Sequence, residues 1–210
     1  RRHGVLRVAD IQDLFPVARA LGAVGGVPGR RIGIVSMSGG ACSMLVDSCE
    51  AFGLDVPVFG GRLCADLDAL LPAYASSRNP VDVTATGIER PELVTESMRL
   101  VLESGQVDLA LLQLGTNADP SAAVMAERLT EMQGKTPVPF LVGRLGAPDL
   151  APSAVAIYRA AGIPIFAWPS QLAVGAAAAA DFGALSAGAE AAWPGPGPGV
   201  AAPGPAVSMT

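Results

Sequence analysis

Ser38-Gly39-Gly40 stands where a short β-rich run, Arg31 to Ser36, gives way to a helical pattern over Cys42 to Phe52. Glycines let a ligand approach the backbone closely. A helix start offers unpaired N–H groups and a partial positive charge. That chemistry suits an anion, phosphate above all, held by Ser38, Gly39, Gly40, Ala41 and Cys42, with Ser36 as a further hydroxyl. The pattern is not G-x-G-x-x-G, and it lacks the lysine and spacing of a P-loop. A tight strand-to-helix turn capped by Ser38 satisfies the same residues. Cys42 falls in the first helical turn, a place that can lower a thiol pKa. The plainer reading is a small core residue, because the only histidine is His3 and none is placed to act as its base.

Two further segments carry polar residues at useful places. Asn79-Pro80-Val81-Asp82 follows a helical stretch and opens an extended one. Asn before Pro favours a turn or extended backbone, and Asp82 suits a ligand, a loop cap or a domain contact. Thr116 and Asn117 lie in the loop Gly115 to Asp119, directly after an apolar run.

The elements that must position these residues alternate. Strands are expected at Arg31 to Ser36, Leu54 to Phe59, Val107 to Leu114, Val138 to Val142 and Pro164 to Ala167. Helices are expected at Cys42 to Phe52, Cys64 to Tyr74, Pro91 to Glu103, Ser121 to Met132, Asp149 to Ala161 and Ser170 to Ala180. Strand–helix alternation implies right-handed crossovers and a parallel sheet, whose buried strands read as continuous apolar runs. The expected fold is α/β: a three-layer flavodoxin-like domain with a five-stranded parallel sheet in order 2-1-3-4-5. Ligands then bind at the carboxyl ends of strands 1 and 3, where the strand order reverses. The loops at Ser38 and Thr116 should share that crevice.

Residues 30–181 make this domain. Residues 1–29 read as the end of a preceding unit and a linker, with Val8, Ile11, Leu14, Phe15 and Ala18 at helical spacing before the breaker Gly25-Gly26-Val27-Pro28-Gly29. Residues 182–210 read as a disordered Ala/Pro/Gly-rich tail, most clearly from Trp193 onward. The start at Arg1 rather than Met suggests a fragment.

Composition excludes several functions. Half of the 210 residues are apolar and 16% charged, which supports a buried core rather than disorder. A net charge of −5 and 5% aromatics argue against nucleic-acid binding by a basic face or a stacking platform. No apolar run reaches the ~18 residues a membrane span needs. Three cysteines, Cys42, Cys49 and Cys64, suit neither a disulfide framework nor a zinc site, so no metal is expected and a reducing cytoplasm is. A serine hydrolase needs G-x-S-x-G and a later histidine; neither exists here. A phosphorelay receiver needs an Asp after strand 3 and a Lys after strand 5, where Gly115 and Trp168 stand.

Taken together, five segments resemble the NDP-forming acyl-CoA synthetases of the succinyl-CoA synthetase superfamily. They are Gly4–Phe15, Gly29–Leu54, Leu70–Thr84, Val107–Leu114 and Ala161–Ala179, in family order. The resemblance is to the second flavodoxin-like CoA-ligase domain with the end of the first. It implies an enzyme that interconverts acyl-CoA, NDP and phosphate with acid, CoA and NTP through a phosphorylated histidine. It also implies partners, fused or separate: a CoA-binding domain, a first ligase domain and an ATP-grasp domain, using CoA, ATP/ADP and Mg. This chain alone is expected to bind no cofactor and to be inactive. His3 is not the family histidine, since the motif around it is missing. By resemblance, Ser38 to Cys42 cradle the phosphoryl group, and Asn79 and Asp82 form a site or domain contact. Met37 and Cys42 stand where the family often has small residues. Two other readings remain open: a regulatory ligase-like portion of a protein lysine acetyltransferase, and a binding or scaffold module without ligase chemistry.

Overall fold

Three apolar runs form the centre of a parallel sheet, each buried along its whole length: β1 (Ile32–Ser36), β3 (Leu109–Leu114) and β4 (Phe140–Arg144). Short edge strands β2 (Val81–Asp82) and β5 (Ile165–Phe166) complete the order β2-β1-β3-β4-β5, with every pairing parallel. This computed structural model describes residues 5–192, with side chains through residue 187. The strand order is the one expected, and it reverses between β1 and β3.

Alternate residues of the strands feed two cores. Val35, Ala110, Leu112 and Val142 face α3 (Gly61–Leu70), α5 (Pro91–Glu103), α6 (Ser121–Met132) and α7 (Pro152–Ala160). Ile32, Ile34, Leu109, Leu111 and Leu141 face α1 (Ile11–Val24), α2 (Gly39–Ala51) and α8 (Pro169–Ala192). A short helix α4 (Thr86–Glu89) and a 3-10 turn (Pro148–Leu150) lie in connecting loops. Pro91 opens α5 at the one helical turn that tolerates proline. Among the described residues no helix is long and apolar enough to cross a membrane.

The second strand differs from the one expected at Leu54 to Phe59. That stretch pairs with the chain at the start of β1 through one bridge, where Ile32 N–H donates to Asp55 O (2.7 Å) and Asp55 N–H to Arg30 O (2.9 Å). Pro57 has no N–H to continue a ladder, and Phe59 turns into the core. The paired strand is Val81–Asp82, beside Val35 and Ser36. Between bridge and strand the edge of β1 is met by a side chain. Asn79 Oδ1 accepts from Ile34 N–H (2.9 Å), and Asn79 Nδ2 donates to Ile32 O (2.7 Å). The amide thus does the work of a peptide group in a neighbouring strand.

Helix α1 falls within residues 1–29, yet it packs on α8 and contributes to the same core. Its buried residues are Pro16, Val17 and Ala20. The larger Ile11, Leu14 and Phe15, apolar at helical spacing, are exposed. Close approach explains the choice of face: a methyl group on Gly175 of α8 would stand 2.8 Å from Ala20 Cβ, so only small residues fit that seam. Helix α8 continues past Asp181, which pairs with Arg30 at 2.7 Å, to Ala192. The tail from Trp193 lies outside the described residues.

The amino end of β1 is tied to β3 by charge. Asp108 accepts from the Arg31 backbone N–H (2.9 Å) and from its guanidinium (2.6 Å). The guanidinium and backbone bonds hold the Asp108 carboxyl below its ordinary range against the pull of partial burial. A depressed carboxyl stabilises the fold above its ordinary pKa, and that contribution disappears as pH falls through and below the carboxylate range. Asp108→Asn therefore unfolds at lower urea than the parent at pH 7. The difference shrinks towards about pH 3 in the same titration.

Candidate functional site

The residues singled out at strand 1 form a strand-to-helix turn whose hydrogen bonds can be followed one by one. Ser36 Oγ, fully buried, donates to Gln113 O (2.9 Å) and accepts from Ser38 N–H (3.1 Å). Its hydroxyl is thus committed to holding β1 against β3. Ser38 is the N-cap of α2: its Oγ accepts from Ala41 N–H (3.4 Å), and its carbonyl accepts from Cys42 N–H (2.9 Å). Of the first-turn donors, those of Gly39 and Gly40 are left for a ligand, since a helix supplies no internal partner there. The capping and anion readings thus coexist, on different N–H groups.

Asp82 is brought to the same place by pairing with Ser36. A methyl group on Gly39 would lie 2.9 Å from Asp82 Oδ2, so glycine is required for the carboxylate to sit this close. Asp82 Oδ1 accepts from Thr84 N–H (2.9 Å). Thr84 has φ 62°, a left-handed conformation rare for a β-branched residue, and its Oγ1 donates to Thr86 Oγ1 (3.2 Å). Sequence reading missed Thr84, because nothing in residue type marks a threonine for positive φ. Such backbone strain gathers at functional loops.

Cys42 lies inside this turn and is buried. Burial, and secondarily the negative charge of Asp82, push its thiol up to about 12. Burial does the same to Cys49. The helix start does not activate Cys42, because desolvation of the thiolate outweighs the dipole. At pH 8 a thiol reagent should titrate Cys64, which is half-exposed, and leave the other two until denaturant is added. Rapid reaction of Cys42 in the native state would contradict this environment.

The third strand brings its loop beside this turn, but not all of its residues. Met37 N–H donates to Gln113 O (3.3 Å), joining the two strand ends. Thr116 is exposed and packs over Gly146, where a methyl group would stand 2.8 Å from its Cγ2. Asn117 is buried, and its carbonyl is held by the Arg144 guanidinium at the end of β4. Asn79 is committed to the edge of β1. The structure thus gathers Ser38, Gly39, Gly40 and Asp82 at one turn and engages Asn79 and Asn117 in framework bonds. A cleft of about 750 Å³ opens elsewhere, between α3 and α5. Its charges pair among themselves, Arg62 with Asp66 and Arg99 with Glu96 and Glu103, and none of the loop residues above lines it.

No protein-family model matches the chain. Among curated proteins, the ADP-forming acetate–CoA ligase I of Archaeoglobus fulgidus is 28% identical over 169 residues, 79% of this chain and 23% of the ligase. A trans-feruloyl-CoA synthase from an unknown prokaryotic organism is 26% identical over 106 residues, 50% of this chain and 15% of that protein. The chain therefore spans less than a quarter of either relative's length. Among solved structures, a Pyrococcus horikoshii OT3 protein superposes with TM-score 0.78 at 22% identity, covering 87% of this chain and 42% of its own. The dinucleotide-forming acetyl-coenzyme A synthetase 1 of Ca. Korarchaeum cryptofilum, in complex with phosphate and ADP, gives 0.74 at 20% identity, with 90% and 40% covered. These superpositions show the fold, and the sequence relationship is to a segment of acyl-CoA ligases.

Proposed function

We propose that this domain forms one wall of a phosphoryl site in an acyl-CoA synthetase, receiving at the start of α2 the phosphoryl group carried by a histidine of a partner domain. The observation that carries the reading is the pair of first-turn N–H groups, Gly39 and Gly40, left over once Ser38 has capped the helix. Aimed N–H dipoles at a helix start stabilise a phosphoryl anion without reorganising. The whole protein would then interconvert acyl-CoA, NDP and phosphate with acid, CoA and NTP. CoA, ATP/ADP and Mg would be bound by CoA-binding, first ligase and ATP-grasp domains, in a cytoplasmic setting. This domain supplies no reacting side chain.

Gly40→Asp tests the site with little risk to the fold, since a Cβ on Gly40 meets nothing within 4 Å. In the full-length native protein, acyl-CoA-dependent NTP formation should fall at least about a hundredfold, the usual cost of removing such anion stabilisation. Gly40→Ala should retain most of it. An unchanged rate in Gly40→Asp would remove the phosphoryl role.

Asp82 favours a second reading. A carboxylate this close to Gly39 opposes a second anion in the same turn, as expected of a module that kept the fold and lost ligase chemistry. On that reading the native protein makes no NTP with any acyl-CoA, and Asp82→Asn does not restore it.

A further inference from the structure

Asp82 is held on both sides of its peptide chain and again at its side chain. Its N–H donates to Ser76 O and its carbonyl accepts from Ser76 N–H, each at 3.1 Å, while Val83 N–H donates to Ser36 O (2.8 Å). The carboxylate is oriented by Oδ1, which accepts from Thr84 N–H (2.9 Å). Oδ2 is the free end of the group. Among the described residues it accepts no hydrogen bond, and Asp82 enters no ion pair.

That free oxygen stands 2.9 Å from the place a Cβ on Gly39 would occupy. It therefore lies within about 4.5 Å of Gly39 Cα, one C–C bond further on. The start of α2, with the N–H groups of Gly39 and Gly40 left over by the Ser38 cap, has an unpaired carboxylate oxygen beside it. The charge acts inside the turn: after burial, it is the second cause that raises the Cys42 thiol to about 12.

The two sides of the turn select in opposite senses. Helix-start N–H groups attract an anion, whereas an ionised carboxylate only accepts hydrogen bonds and repels an anion with none to give. One kind of ligand meets both: a tetrahedral oxyanion that still carries a proton. One of its oxygens takes the N–H groups, and its O–H donates to Oδ2 in a charge-assisted bond. A fully ionised oxyanion would set a lone pair against Oδ2 instead. A metal ion suits the place less well, since Oδ1 is taken and no group of three His, Cys, Asp or Glu side chains fit to hold a metal occurs among the described residues. We infer that Asp82 is a specificity-determining residue of the turn, admitting a phosphoryl group that bears an O–H and rejecting an oxyanion that has none. The inference rests on the phosphoryl reading of the α2 start and names the form of the group that it takes.

Inorganic phosphate and sulfate separate the two properties. Both are tetrahedral and similar in size, but near pH 7 every form of phosphate keeps an O–H and sulfate keeps none. The 210-residue chain, isotopically labelled, is titrated with each at pH 7 in the presence of EDTA and followed by amide NMR. Phosphate should shift the Gly39 and Gly40 amides saturably. Sulfate should bind at least about tenfold more weakly, a small part of the discrimination available to a site that hydrogen-bonds a ligand O–H. In Asp82→Asn, whose Oδ1 still serves Thr84 N–H and whose amide adds donors, the two anions should bind about equally. Equal affinities for phosphate and sulfate in the parent would overturn the inference and leave the phosphoryl reading standing. Binding of both anions by Asp82→Asn alone would mean that the carboxylate itself fills the anion's place, and would overturn it too. No response to either anion in either protein would overturn both readings. The comparison within the parent needs no substitution, so it decides even where Asp82→Asn fails to fold.

Discussion

Asn79→Ala should lower the free energy of unfolding by about 3 kcal/mol, the cost of leaving two buried backbone groups unmet. The amide accepts from Ile34 N–H and donates to Ile32 O inside β1, and both residues are fully buried. Alanine leaves a donor and an acceptor without partners at the centre of the sheet, where water enters only by separating the strand edge. Asn79→Asp should be at least as harmful. It keeps an acceptor for Ile34 N–H but sets a carboxylate oxygen against Ile32 O and buries a charge. Urea unfolding of the three proteins gives the ranking, and a loss below about 1 kcal/mol for Asn79→Ala would mean that the edge is already open to solvent.

Gly183→Ala should cost a comparable amount by a different route. A methyl group there would stand 2.0 Å from Val27 O, and Gly26 across the seam has a Gly183 backbone atom 2.8 Å from its own ideal Cβ. The obstacle is backbone on both sides, so relief requires moving α8 away from the segment before β1. Overpacking of this kind typically costs 1–3 kcal/mol, and the upper end, about 3 kcal/mol, is expected here. Gly22 in α1 supplies the opposite sign. Its Cβ would meet nothing within 4 Å, so Gly22→Ala should stabilise by about 0.5–1 kcal/mol through helix propensity. If thermal melts of the two variants moved the same way, the close seam between α8 and residues 26–27 would not exist.

The parts of the fold legible in the sequence were those where one physical signal dominates. β3 is an unbroken apolar run because both faces are covered. α5 and α6 combine a clear polar and apolar face with a definite start. β2 was not legible: two residues pair, and the rest of that edge is met by Asp55 and by the Asn79 amide, which no periodicity records. In α1 the periodicity marked the helix but not the face it buries: packing against Gly175 selected the small residues.

The same distinction runs through the site. Glycines before a helix marked the turn, and the close approach of Asp82 shows why Gly39 is one of them. Residue type did not reveal which donors were already taken. Ala41 and Cys42 give theirs to Ser38, and only coordinates show it.

The proposed phosphoryl site rests on the N–H groups of Gly39 and Gly40 at the start of α2. The most direct measurement is a titration of the isotopically labelled chain with inorganic phosphate, followed by amide NMR. Saturable shifts confined to the Gly39 and Gly40 amides and their neighbours, abolished in Gly40→Asp and kept in Gly40→Ala, are the predicted result. No response at those amides through the millimolar range, or the same response in Gly40→Asp, would contradict it.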